Sequence, residues 1–218
     1  MSDRELTRTL AADLLRIGAV ALRPNVPFTW ASGRKAPVYC DNRLTLSYPD
    51  VRLDITEGFL AVTDYHHHEA VDVIAGTATA GIPQAALLAE RLSLPMAYVR
   101  GQAKGHGKQN RIEGRIEPGQ RVVVVEDLIS TGGSSLSAAQ AIRDAGAEPV
   151  AVLSIFTYGF EIAQQAFDEA GIPLITLTDF DTLIGVAVET GALTDEEVLI
   201  LLNWRADAAA WSRVHGGA

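Results

Sequence analysis

Sulfur is nearly missing from this chain: one of its 218 residues is cysteine, Cys40, and two are methionine. A single cysteine excludes an internal disulfide and fits a reduced, cytoplasmic setting. No run of about 18 apolar residues occurs, so no membrane span is expected. The opening MSDRELTRTLAADLLRIGAV is charged and amphipathic. It lacks the apolar stretch and the small-residue cleavage site of a signal peptide. Positive charge is also short. Lys and Arg total 18 against 27 Asp and Glu, a formal net charge of −9, which argues against nucleic acid as a partner. There is no Walker A loop and no GxGxxG. Internal repeats, linkers and low-complexity tracts are missing too.

What is present is core material. The chain is 48% hydrophobic, and its length fits one α/β domain over residues 1–218. The scarce basic residues are gathered together. Between Arg100 and Arg121 stand Arg100, Lys104, Lys108, Arg111, Arg115 and Arg121 against Glu113 and Glu117. Such an island in an acidic protein suits a small polyanion.

Periodicity orders the elements. Leu6, Leu10, Leu14 and Ile17 lie at helical spacing behind a Ser2-x-x-Glu5 capping pattern. Short strands are expected at Phe28–Trp30 and Val38–Cys40 around a Ser32-Gly33-Arg34-Lys35 turn, and a helix over 49–64. Strands then alternate with helices. The strands are 71–75, 94–99, 121–125, 150–156 and 174–177. The helices begin near Pro83 and cover 134–145, which Gly146 ends, and 162–170, which Gly171 ends. Thr194-x-x-Glu197 caps a last helix with Val198, Leu201, Leu202 and Arg205. Short apolar runs alternating with helices predict a central parallel sheet flanked by helices. Ligands of such sheets lie at the carboxyl ends of the strands, here the loops at 76–81, 100–114 and 126–134. Trp204 and Trp211 read as core or interface, and Cys40 as packing. The run His66-His67-His68 reads as a solvated helix end, because neighbours on a helix point about 100° apart and chelate poorly.

The stretch that carries chemistry is Val122-Val-Val-Val-Glu126-Asp127-Leu128-Ile129-Ser130-Thr131-Gly132-Gly133-Ser134-Ser135. A buried strand ends in two acids, a loop of small residues follows, and a helix begins. Small residues let main-chain N–H groups close around a phosphate, and the helix N-terminus adds its dipole. The hydroxyls of Ser130, Thr131, Ser134 and Ser135 add donors. Glu126 and Asp127 suit vicinal ribose hydroxyls and a hydrated Mg²⁺ near them. Together they describe a sugar-phosphate site.

This segment resembles the motif by which type I phosphoribosyltransferases bind 5-phosphoribosyl-1-diphosphate (PRPP). The likeness spreads outward. Phe28-Thr-Trp-Ala-Ser32-Gly33-Arg34-Lys-Ala-Pro37-Val-Tyr39-Cys-Asp41-Asn-Arg43-Leu-Thr-Leu-Ser-Tyr48-Pro49 resembles the amino-terminal segment of bacterial orotate phosphoribosyltransferases. Gly76-Thr-Ala-Thr-Ala-Gly81-Ile-Pro83 resembles their pyrophosphate loop, and Arg100-Gly-Gln-Ala-Lys104-Gly-His106-Gly107 their mobile catalytic loop. The resemblance implies the type I fold with a small N-terminal hood, mainly residues 1–48. It implies PRPP contacts from Arg100, Lys104, His106, Glu126, Asp127, Leu128, Ile129, Ser130, Thr131, Gly132, Gly133 and Ser134. It implies catalysis by Lys104, Arg100, His106 and Asp127. It also implies Mg²⁺ held through PRPP and water without direct protein ligands, and a homodimer with shared sites.

The implied reaction is phosphoribosyl transfer from PRPP to orotate, giving orotidine 5′-phosphate and pyrophosphate. Charge grows on the leaving diphosphate while the ribose becomes oxocarbenium-like. Cations placed at that charge then accelerate the step, and closure of a glycine-rich lid excludes water. The sequence departs from one version of the family. Gly101, Ala31 and Thr79-Ala80 stand where that version has lysines or Tyr-Lys. Phe156-Thr-Tyr158-Gly159 stands where it has a base-holding Arg. Ser130 is the first candidate to meet the orotate carboxylate, ahead of Arg34 and Arg43. The rival readings are transfer to a purine or another pyrimidine, and a PRPP-sensing regulator without catalysis. A regulator is expected to carry a basic DNA-binding extension and to lack a complete cationic lid.

Overall fold

The four valines Val122–Val125 divide between two cores: Val123 and Val125 join one buried cluster, Val122 and Val124 the other. Alternation is what an extended strand dictates, and apolar residues on both sides mark a strand covered on both faces. The computed structural model describes residues 3–67, 71–101 and 111–218 and sets this strand inside a six-stranded sheet.

In chain order the elements are α1 (Asp3–Arg16), β1 (Val20–Leu22), β2 (Phe28–Thr29), β3 (Lys35–Ala36), β4 (Val38–Cys40), a 3-10 turn (Asn42–Ser47), α2 (Pro49–His67), β5 (Val73–Thr77), α3 (Gly81–Leu92), β6 (Met96–Val99), β7 (Ile112–Glu113), β8 (Arg121–Ile129), α4 (Gly133–Asp144), β9 (Glu148–Thr157), α5 (Glu161–Ala170), β10 (Leu174–Asp179), α6 (Phe180–Glu189), α7 (Asp195–Ala206) and α8 (Ala208–Val214). The sheet order is β10-β9-β8-β5-β6-β7. All neighbours pair in parallel except β7, which runs antiparallel to β6 at the edge. Helices α1, α2, α3, α6 and α7 pack on one face around Leu14, Phe59, Leu88, Phe180 and Trp204. Helices α4 and α5 cover the other with Ile142 and Phe167. Each such large side chain, once buried, contributes roughly 1.5–3 kcal/mol.

Two small antiparallel pairs, β1 with β4 and β2 with β3, form the hood over one end of the sheet. Helix α1 packs on β10 and α6 and so lies in the sheet's helical layer, although it precedes the hood in sequence.

Several boundaries differ from the sequence expectation. β8 continues past Val125 to Ile129, because β9 offers it main-chain partners as far as Thr157. Glu126 and Asp127 therefore sit within the strand. α3 starts at Gly81, two residues before Pro83. Pro83 is still in the first turn, where a missing N–H costs nothing. α6 was not foreseen from the sequence. Its acids Asp181 and Glu189 stand near its two ends, and the apolar run from Leu183 to Val188 between them is short and unbroken, which reads as a strand as readily as a helix. It starts where the Asp179 side chain accepts from Thr182 N at 2.8 Å. The helix expected behind Thr194 is α7, and a further helix, α8, follows it. Asp207 interrupts them and caps the second by accepting from Ala210 N at 2.8 Å. Trp204 and Trp211 are core, 1% and 8% exposed. The capping residue Ser2 and the side chains of His66, His67 and His68 lie outside the described residues.

Candidate active site

The chain leaves β5 to build β6 on one side and returns to build β8 on the other. That reversal opens a crevice at the carboxyl ends of β5 and β8, where ligands of open α/β sheets bind. Two glycines press the first loop against the strand ends. A Cβ on Gly81 would stand 2.3 Å from the Val125 carbonyl oxygen, and one on Gly76 2.8 Å from Ile82 Cα. The intervening Ala78–Thr79 peptide is cis.

Glu126 and Asp127 reach the crevice from β8. Glu126 is 5% exposed. Its Oε2 accepts from the hydroxyls of Ser134 at 2.9 Å and Ser135 at 3.1 Å, and its Oε1 from Asp127 N at 3.2 Å. Burial raises its carboxyl to about 7, helped by the adjacent Asp127 charge. Burial also raises Asp127 above the ordinary carboxylate value. The Asp127 main-chain oxygen accepts from Asn42 Nδ2 at 2.6 Å, and Asn42 is itself 1% exposed. A hood residue thus fixes the backbone at the two adjacent acids. Sequence reasoning did not single out Asn42, and no local signal marks it.

Beyond the acids, Gly132 takes a left-handed conformation (φ 78°) and starts α4 with no side-chain cap. The first-turn N–H groups of α4 are thereby left for a ligand. A Cβ on Gly132 would stand 2.7 Å from Phe167 Cε2, so glycine is required there by space as well as by φ. Thr131, Gly133 and Ser134 are exposed at the crevice. The Ser134 and Ser135 hydroxyls turn back to Glu126, which leaves the main chain of the turn and the Ser130 and Thr131 hydroxyls as the donors a ligand there could use. Ile129 is in the core, 1% exposed, with its carbonyl accepting from Tyr158 N at 3.2 Å and Thr157 Oγ1 at 3.3 Å.

A cavity of about 160 Å³ opens beside Ser130 under the hood, lined by Trp30, Tyr39, Cys40, Leu128, Ser130 and Tyr158. The Trp30 and Tyr158 rings stack with centroids 6.2 Å apart, and Trp30 Nε1 donates to the Val38 carbonyl at 3.2 Å. Burial pushes the Cys40 thiol well up, which suits a packing residue and not a thiolate nucleophile. Of the cations considered for a base carboxylate, Arg43 is held on both oxygens of Asp41, at 2.6 and 2.7 Å. Arg34 lines a larger neighbouring cavity with Ser130, Thr131 and Trp204. The cavity brings together residues from 30 to 158, so sequence spacing gave no sign of it.

Arg100 follows β6, with its N–H donating to the Arg111 carbonyl at 2.8 Å and its guanidinium 3.6 Å from Glu113. Lys104 and His106 lie outside the described residues. Among the described residues, no group of three or more His, Cys, Asp and Glu is placed to hold a metal ion. No helix among them is long and apolar enough to cross a membrane.

Comparison with known proteins fits this geometry. A family model described as a phosphoribosyl transferase domain matches residues 60–157. The chain is 56% identical to an orotate phosphoribosyltransferase of Bacillus caldolyticus over 93% of its own length and 97% of that protein. Its fold superposes on orotate phosphoribosyltransferase from Aeropyrum pernix with a TM-score of 0.73 and 32% identity, covering 85% of this chain and 99% of that one. The Mycobacterium tuberculosis H37Rv orotate phosphoribosyltransferase in complex with PRPP superposes with a TM-score of 0.63 and 25% identity, over 84% and 99%.

Proposed function

This chain belongs to the bacterial orotate phosphoribosyltransferases, which have the type I fold, and from that premise we propose how its residues carry the transfer. The enzyme moves the 5-phosphoribosyl group of PRPP to orotate, giving orotidine 5′-phosphate and pyrophosphate in pyrimidine biosynthesis. The relatives named above fit orotate, not the purine or regulatory alternatives.

The 5′-phosphate sits on the uncapped start of α4, held by the main chain of residues 130–134 with the Ser130 and Thr131 hydroxyls. Asp127 accepts from the ribose hydroxyls, and Glu126 supports it from below. Orotate lies in the small cavity against Trp30 and Tyr158, with Ser130 donating to its carboxylate. Its N1 attacks C1 of the ribose from the face opposite the diphosphate, and the C1–O bond breaks with its electron pair leaving on pyrophosphate. The N1–H proton leaves as N1 bonds to C1 and is taken up by water or by the departing pyrophosphate. Delocalisation into the ring and its carbonyls makes that proton acidic enough that no strong protein base is needed. Arg100, Lys104 and His106 meet the growing charge on the leaving group. The two adjacent carboxylates are oxygen donors of the kind hydrated Mg²⁺ accepts, and bound with PRPP it would offset the charge of the diphosphate oxygens. The basic loop reaches the site of a second copy, so two chains share each pair of sites.

The observation that carries this reading is the uncapped helix start next to two adjacent acids, Glu126 buried and Asp127 half-buried, at the sheet's reversal point. The test is the loss of orotate ultraviolet absorbance on adding PRPP with and without Mg²⁺, repeated with Lys104→Ala. We expect no turnover without the ion. For the variant we expect kcat to fall about a hundredfold or more while PRPP affinity changes little. Undiminished kcat in Lys104→Ala removes that residue from the leaving-group role.

A further inference from the structure

The hood turn that carries Trp30 is tied down by a part of the chain nearly two hundred residues away. Lys35 N donates to Ser212 Oγ at 2.8 Å, and Ser212 Oγ donates to the Ala218 carbonyl at 2.9 Å. Ala218 N donates to the Gly33 carbonyl at 3.0 Å, and Gly217 N to the Ser212 carbonyl at 2.9 Å. Ser212 is fully buried. Its hydroxyl accepts and donates through the same oxygen atom, which a hydroxyl can do and an ammonium cannot. The fit is close. A Cβ on Gly217 would stand 2.4 Å from Ser212 Oγ and 2.6 Å from Lys35 N.

These bonds bracket the turn. Gly33 and Lys35 lie on either side of Arg34, and within the turn Trp30 N donates to the Arg34 carbonyl at 2.8 Å while Gly33 N donates to Trp30 O at 2.9 Å. β2 and β3 make a hairpin of only two residue pairs, and an isolated two-stranded ribbon is marginal in water. The turn therefore needs an outside support to hold the Trp30 ring in one place against Tyr158 and Trp204.

We propose that residues 212–218 form a clamp that positions the base-binding face of the hood, with Ser212 as its central positioning residue. The inference rests on the reading that orotate lies against Trp30. Among the described residues the clamp's hydrogen bonds run to Gly33 and Lys35 and not to residues 126–134, so its loss is expected to fall mainly on orotate. A misplacement of a positioning group by about 1 Å is enough to cost large factors in binding and rate.

Steady-state kinetics with Ser212→Ala and Gly217→Ala tests it, with Ser212→Thr as the variant that keeps the hydroxyl. Trp30→Ala separately tests the base cavity. The expected result is a KM for orotate raised about tenfold in both disrupting variants, with the KM for PRPP within about twofold of the parent. Ser212→Thr should recover most of the loss. Gly217→Ala leaves Ser212 in place, so it keeps the test open if Ser212→Ala folds poorly. The clamp is refuted if both KM values rise together, if neither moves, or if Ser212→Thr behaves like Ser212→Ala. An unchanged orotate KM in Trp30→Ala instead refutes the placement of the base.

Discussion

At Glu126, burial and the neighbouring Asp127 charge raise the carboxyl from its ordinary 4.5 to about 7. The folded value exceeds the unfolded one, so between those values the native state keeps a proton that the unfolded chain has released. Stability then falls as pH rises through that window and levels off above it. The two acids interact, so the step belongs to the pair. Thermal unfolding followed by circular dichroism from about pH 5 to pH 7.5 should show a declining Tm for the parent and a flatter profile for Glu126→Gln. Parallel profiles would assign the step elsewhere. The serines that donate to Glu126 Oε2 have a related consequence. They stabilise the ionised form against burial and hold the side chain toward α4, leaving Asp127 as the acid more open to the crevice.

The element that decides the proposed phosphate site is the β8–α4 turn. Its conformation is set by Gly132, where φ is 78° and Phe167 closes the space a side chain would need. Phe167 cannot retreat easily, since it is 1% exposed in the core between α4 and α5. Gly132→Ala should lose about 2 kcal/mol from the left-handed backbone alone, and PRPP binding should weaken with it as the amides are displaced. Gly133→Ala is the control for stability, because the nearest atom to its added Cβ is Thr131 Oγ1 at 3.9 Å. Urea denaturation of the two variants checks the contrast. Equal stability in both would mean that neither the left-handed backbone of Gly132 nor the Phe167 ring pins the turn.

For the whole molecule, the proposed second copy has a direct test. Lys104→Ala and Asp127→Asn chains are each expected to be nearly inactive. If the basic loop serves the neighbouring site, mixing them after dissociation yields heterodimers with one intact site of two. Random pairing then restores about a quarter of the parent activity. No restoration, with exchange confirmed by native mass spectrometry, would show that each chain supplies its own loop. A dimer would also give the exposed Leu44, Tyr48 and Leu53, which follow one another along the 3-10 turn and α2, a place out of water.

By itself, the sequence determined what local chemistry can encode. The valine run and its neighbours specify buried strands through period and composition. Glu126 to Ser134 could be singled out as a candidate sugar-phosphate loop because small residues, acids and a helix start stand next to one another in the chain. It also placed most helices, where apolar spacing and caps such as Thr194 with Glu197 are short-range signals. It did not reveal α6, whose short unbroken apolar run from Leu183 to Val188 reads as a strand as readily as a helix. It did not show that Glu126 and Asp127 lie within β8, since that depends on the length of β9 beside it. Tertiary structure alone brought Trp30, Tyr39, Cys40, Ser130 and Tyr158 around one cavity. The same is true of Asn42 on the Asp127 carbonyl and of Ser212 on the hood turn. Those contacts are set by how the sheet reverses direction and how helices close over it, and such long-range geometry leaves no spacing in the chain to read.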